Sequence, residues 1–105
     1  MDDAKRQRIE AAGWRVGDAA EFLGLTPEEA AFVELKLALA RYLRELRVEH
    51  RWTQTQVARK LGSSQSRVAK MEAADSSVSV DLLVKSLFTL GASRDDVGRV
   101  IALAA

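Results

Sequence analysis

Between positions 65 and 70 lie four side chains suited to reading hydrogen-bonding edges: Gln65, Ser66, Arg67 and Lys70. Wound as a helix at about 100° per residue, this stretch puts Val68 and Met71 on one side. Gln65, Ser66, Ala69 and Lys70 fall on the other, with Arg67 at its flank. The outward face is polar and carries no acid. It combines short side chains with long hydrogen-bonding ones, as the floor of a DNA major groove requires. There glutamine pairs with adenine, and arginine or lysine with guanine. Gln54, eleven positions earlier, opens a second short helix and can donate to a phosphate alongside that helix's free backbone amides. Thr53 and Ser64, the residues that start the two helices, join it as candidate phosphate ligands, and Arg47, Arg51, Arg59 and Lys60 surround the pair as candidate phosphate neutralisers.

Other chemistries find no support in the residues. The chain has no cysteine, which removes disulfides, thiolate nucleophiles and thiolate-bound zinc. His50 is the only histidine and sits in a basic linker, so it reads as a solvated side chain and not as a metal ligand. The serines at 76, 77 and 79 have neither a nearby histidine nor the glycines of a nucleophile elbow. The six glycines are scattered, mostly at helix ends, and form no phosphate-cradling loop. The expectation is therefore no enzyme, no cofactor and no metal.

The overall charge hides the candidate site. With 16 bases, 15 acids and one neutral histidine, the 105-residue chain is formally +1. Residues 41–70 hold eight bases against two acids, a block of +6. Residues 1–34 hold eight acids against four bases, and residues 71–105 five acids against three. A basic middle thus lies between acidic ends, an arrangement suited to an anionic partner at the centre. The composition, 48% hydrophobic and 30% charged, suits one small soluble domain. No apolar run approaches the roughly 18 residues of a membrane span. Met1-Asp2-Asp3 is no secretory leader, so the expected location is the cytoplasm.

The elements that must position these residues are all helical. Thr26, Pro27 and Glu29 supply an N-cap, a first-turn proline and the return half of a capping box. From there to about Glu49 the spacing of Leu35, Leu39, Tyr42, Leu43 and Leu46 predicts one long helix with a single apolar stripe. A short helix opened by Asp18 and closed by Gly24 precedes it. Thr53 and Gln56 form a second capping box, with Trp52 and Val57 placed for a hydrophobic staple, and Gly62 ends that helix. Ser64 caps a helix running to about Ala73. Asp75-Ser76-Ser77 reads as a loop, Ser79 introduces a helix over 81–90, and Ser93 with Asp96 caps a last one. Trp14, Phe22 and Phe32 are expected in the core.

Two short helices joined by a glycine-containing turn outline a helix-turn-helix. The string Trp52-Thr53-Gln54-Thr55-Gln56-Val57-Ala58, followed by Leu61-Gly62-Ser63-Ser64-Gln65-Ser66-Arg67-Val68 and Lys70-Met71-Glu72, resembles the Cro/phage-repressor (Xre) class of regulators. The resemblance covers residues 35–93 and includes the Ser-Val-Asp-Leu-Leu helix after the loop. It departs at Ser63, where an aliphatic residue is usual, and at Ala73-Ala74-Asp75-Ser76-Ser77, where a glycine-containing loop is usual. It implies an all-α, five- to six-helix bundle of lambda-repressor-like type with a short helical N-terminal extension. It also implies Gln65, Ser66, Arg67 and Lys70 as groove readers and Gln54 as a phosphate ligand.

Gly13-Trp14-Arg15-Val16-Gly17-Asp18-Ala19-Ala20-Glu21-Phe22-Leu23-Gly24 and the residues that follow to Ala30 resemble the small antitoxins of host-inhibition-of-growth type. On that resemblance the chain is a transcriptional repressor of its own operon. Residues 1–30 form a partner-binding extension for a small basic toxin, and residues 31–105 a DNA-binding domain. A dimer is expected to sit on a double-stranded operator, since one recognition helix covers a half-site. Val97, Val100, Ile101 and Leu103 are the candidate dimer surface. The competing expectation is a helical protein-interaction adaptor whose helix-turn-helix is only scaffold.

Overall fold

A computed structural model describes residues 23–104. Within them the chain forms five α-helices and no strand: α1 (Pro27–Glu49), α2 (Gln54–Leu61), α3 (Gln65–Glu72), α4 (Val80–Thr89) and α5 (Arg94–Leu103). Most of the expected short helix opened by Asp18 lies outside the described residues, as do Trp14 and Phe22; at its expected close Leu23 is helical and Gly24 (φ 71) is left-handed. None of the described helices is long and apolar enough to cross a membrane.

Each helix starts where a side-chain oxygen can take up a free backbone amide. Thr26, Thr53, Ser64, Ser79 and Ser93 all accept from the amide three residues on. Glu29, Gln56 and Asp96 return the bond to the cap's own N–H, completing three capping boxes. Thr26 and Ser93 hold the Glu29 and Asp96 carboxyls below their ordinary pKa, chiefly by donating backbone N–H bonds.

α1 is the axis of the bundle. Leu39, Ala40, Leu43 and Leu46 are buried, with Leu35 and Tyr42 packed against the core beside them, which is the predicted stripe. α3, α4 and α5 all pack on this helix, and α2 packs chiefly on α3. Leu39, Leu43, Leu83, Leu87, Val57, Val68, Val78 and Met71 fill the centre. Each contributes about 1.5–3 kcal/mol by leaving water. Ser86 is the one polar residue buried as a whole among the described residues, and its hydroxyl lies 3.7 Å from the Met71 sulfur.

Two expectations about apolar residues change. Phe32, placed in the core, is 53% exposed on α1. Val97, placed on a dimer surface, is buried in the chain's own core because it faces inward on α5. Val100 packs half-buried against the same core, which leaves Ile101 and Leu103 facing solvent.

Four helices close with the same left-handed turn, in which two successive amides return to carbonyls of the last helical turn. Gly62 (φ 64) and Gly91 (φ 104) take the left-handed position after α2 and α4. Arg51 (φ 58) and Ala74 (φ 51) take it after α1 and α3. A side chain costs about 1–2 kcal/mol there. The departure from a glycine-containing loop after α3 is thus one of residue type and not of backbone shape.

Urea unfolding of single variants tests this. Gly62→Ala is expected to lose about 1–2 kcal/mol, all conformational, since an added Cβ meets nothing within 4 Å. Arg51→Gly should gain about 0.5 kcal/mol, strain relief offset in part by a looser unfolded chain. Ala74→Gly should change little, because the fully buried methyl it removes is worth about 0.8 kcal/mol. The Glu29 and Asp96 caps give a second test. Since folding lowers both carboxyl pKa values, their stabilisation is present above the unfolded values and lost as pH falls through the folded ones. Unfolding midpoints from pH 6 down to pH 2 should therefore fall less steeply in the Glu29→Gln, Asp96→Asn double variant.

Candidate nucleic-acid interface

The pair α2–α3 is built by a few apolar contacts and a tight turn. Val57 and Ala58 bury one side of α2, Val68 and Met71 one side of α3. Ala58, 3% exposed, lets the helices approach closely. Gly62 turns the chain, and Ser64 caps α3 through the Arg67 amide at 3.2 Å. The opposite side of α3 is left to solvent: Gln65, Ser66, Arg67 and Lys70 are exposed and Ala69 is half-buried. The only carboxylate on that side, Glu72 at its C-terminal end, is largely buried and paired with Arg47, so no exposed acid interrupts the face.

One polar network ties three helices together behind it. Arg47 of α1 grips Glu72 at the end of α3 with two guanidinium nitrogens, Nε to Oε2 at 2.6 Å and Nη2 to Oε1 at 3.0 Å. Its third nitrogen, Nη1, donates to the Trp52 carbonyl at 3.1 Å. The Gln54 amide nitrogen donates to Glu72 Oε1 at 3.3 Å, and the Gln54 oxygen accepts from Gln65 Nε2 at 2.7 Å. The pair is largely desolvated, with side chains 16% and 6% exposed. The Glu72 hydrogen bond raises the Arg47 pKa, so the guanidinium stays charged.

Beside the network, the Trp52 ring makes two contacts. His50 stacks on its ring at 4.4 Å between centroids, and the Lys60 ammonium stands 4.6 Å from the ring centroid. His50 Nδ1 lies 2.9 Å from the Leu46 carbonyl, which can only accept, so this nitrogen carries a proton. His50 remains solvent-exposed, as expected, and in addition stacks on Trp52 and caps the end of α1.

The helix-turn-helix domain family matches residues 38–100, more than half of the chain. The chain belongs to this family. No curated protein and no solved structure matches the chain. As a helix-turn-helix protein it is a DNA-binding regulator, with the matched span running from within α1 into α5.

The helix-turn-helix sorts the proposed contacts into groups. Arg51, Arg59, Lys60, Thr53 and Ser64 are exposed around α2 and the turn. The Thr53 and Ser64 hydroxyls are already engaged as caps. Lys60 is anchored over Trp52 but keeps its charge at the surface. Arg47 differs from the expectation. It stands among the bases in sequence, yet its guanidinium is bound by Glu72 and the Trp52 carbonyl, so in this arrangement it is a clamp between helices.

Glu72 is the residue that the chemistry of single segments missed. A signal for it exists: it is the one acid within residues 50–74, seven positions after Gln65 and so on the same side of α3. Breaking a buried pair by removing one partner costs about 3–5 kcal/mol when both ions are fully desolvated. The residual exposure of Arg47 puts Glu72→Ala just below that range, at about 2–3 kcal/mol. Thermal and urea unfolding should show that loss, and Arg47→Met combined with Glu72→Leu should recover most of it. A double variant as unstable as Glu72→Ala would contradict a stranded charge as the cause.

Proposed function

We propose that the chain is a sequence-specific transcriptional repressor and the autoregulatory antitoxin of a toxin–antitoxin operon in the cytoplasm. The observation that carries the repressor reading is the face of α3 that shows solvent Gln65, Ser66, Arg67 and Lys70 and no exposed acid, while Val68 and Met71 on its other side are held in the core. In this reading Gln65, Ser66, Arg67 and Lys70 contact base edges in the major groove. Gln54, Thr53, Ser64, Arg51, Arg59 and Lys60 hold the phosphates. Phosphate contacts place the protein and base contacts select the sequence, so the two groups have separable signatures.

Two copies bind one operator, because a single recognition helix spans only a half-site. Ile101, 43% exposed, and Leu103, 80% exposed, offer α5 as the contact between copies. Residues 1–30 serve as the partner-binding extension and residues 31–105 as the DNA-binding domain. The antitoxin reading rests on the resemblance of residues 13–30 to host-inhibition-of-growth antitoxins. The acidic balance of residues 1–34 supports it by suiting a basic toxin. Exposed Phe32, five residues past Pro27 where α1 begins, adds an aromatic contact to that end.

Gel shifts against the DNA upstream of the gene, run over a series of salt concentrations, test the reading. Gln65→Ala should cost about 1–3 kcal/mol on the selected site and relax preference at one base pair. Arg59→Ala should weaken all duplexes alike and lower the slope of log affinity against log salt by about one. Identical behaviour of the two variants would contradict the assigned faces. No sequence preference in the wild-type protein would favour the adaptor reading. Co-purification of a small basic protein encoded beside the gene, abolished by removal of residues 1–30, is the result expected of an antitoxin.

A further inference from the structure

We propose that His50 is a phosphate ligand that works only as the imidazolium, so that binding of duplex DNA takes up one proton at this side chain. This rests on α2 and α3 being the pair that meets DNA.

The end of α1 decides which ring nitrogen carries hydrogen. Nδ1 stands 2.9 Å from the Leu46 carbonyl, which only accepts, so the hydrogen is on Nδ1. In the neutral ring Nε2 is then left as a bare acceptor. The other neutral tautomer would set the Nδ1 lone pair against the Leu46 oxygen. The stack on Trp52, with the two planes 19° from parallel, holds the plane of the ring. Nε2 points away from the Leu46 carbonyl, and His50 as a residue is open to solvent.

A phosphate oxygen also only accepts. Beside the neutral ring it would meet Nε2 as one acceptor facing another. Nε2 can hold it only after taking a proton from the buffer, and the contact then becomes a charge-assisted hydrogen bond. The Nδ1–H bond to Leu46 is unaffected by that change, and a helix C-terminus favours a positive charge beside it.

The position of His50 brings the phosphate to it. It lies three residues before Thr53, the cap of α2, and shares the Trp52 ring with the Lys60 ammonium. A phosphate held between Arg51 and Lys60 therefore comes beside the imidazole as well. The charged groups around the stack come from three helices and the linker. Glu49 precedes His50 on α1 and Arg51 follows it, Lys60 comes from α2, and Arg47 of α1 and Glu72 of α3 are engaged with each other next to the Trp52 carbonyl. Of these side-chain types imidazole alone ordinarily changes charge between pH 5 and 8, and the chain has one histidine and no cysteine. The coupling is reciprocal: DNA draws a proton onto His50, and the proton strengthens the grip on DNA. Because the complex holds the extra proton, affinity falls as pH rises.

The test measures affinity for a duplex that the wild-type protein selects from a randomised pool, at fixed salt, from about pH 5.5 to about pH 8.5. Wild-type affinity should fall by about tenfold over that range. His50→Phe keeps a ring on Trp52 without either nitrogen. Its affinity should vary by less than about threefold and match the wild type at the alkaline end. At about pH 5.5 the slope of log affinity against log salt should be steeper in the wild type than in His50→Phe by about one, and the two should agree at about pH 8.5. Calorimetry of binding in two buffers of different ionisation enthalpy should register proton uptake by the wild type and none by the variant.

A wild type that binds the duplex equally at every pH, or without proton uptake, overturns the assignment and leaves the DNA-binding reading standing. So does a His50→Phe variant that keeps the same pH dependence, since the proton then goes elsewhere. Loss of binding by His50→Phe at every pH also overturns it, because phenyl and neutral imidazole should be equivalent at the alkaline end. A wild type that binds no duplex at any pH overturns the assignment together with the reading on which it rests.

Discussion

The placement of α3 depends on one ion pair. Apolar packing of Val57, Val68 and Met71 sets how far α3 sits from its neighbours, but packing of smooth side chains leaves rotation about the helix axis weakly fixed. The forked contact between Arg47 and Glu72 is directional and pins the C-terminal end of α3 to α1. Because Arg47 also holds the Trp52 carbonyl, the same side chain orders the linker that leads into α2. Such pairs add little net stability relative to apolar replacements. What this one supplies is orientation: three helices meet at a single guanidinium, and the exposed face of α3 is aimed by it.

Much of this fold was legible in the sequence, for local reasons. Thr26, Thr53, Ser64, Ser79 and Ser93 announce helix starts because a cap and its amide lie three residues apart. The stripe from Leu35 to Leu46 is legible because helix period alone brings those residues to one side. The exposed set on α3 followed the same way, from Val68 and Met71 facing inward.

What stayed hidden depends on residues distant in sequence. Arg47 and Glu72 are 25 positions apart, and nothing local distinguishes Arg47 from Arg44 or Arg51. Val97 and Ile101 are one turn apart on α5, and only the packing of α5 on α1 and α4 decides that the first goes in and the second out. Phe32 lies on α1 beyond the buried stretch that begins at Leu39, so its helix face finds no cover among the described helices. The left-handed Arg51 and Ala74 were invisible because neither residue type signals that conformation. The chain accepts it there because the closing amides must be satisfied.

The 23 residues of α1 form one continuous helix about 34 Å long. It begins at Pro27 and ends beside the Arg47 clamp, crossing residue 30 without a break. A flexible tether of that length would let whatever it carries wander through a large volume, with a local concentration set by coil statistics. A helix anchored along its second half allows no such freedom. A partner bound to the first turns of α1 would be held at a set distance and bearing from the α2–α3 pair. Its access to DNA would then be a matter of steric geometry, fixed when the helix forms.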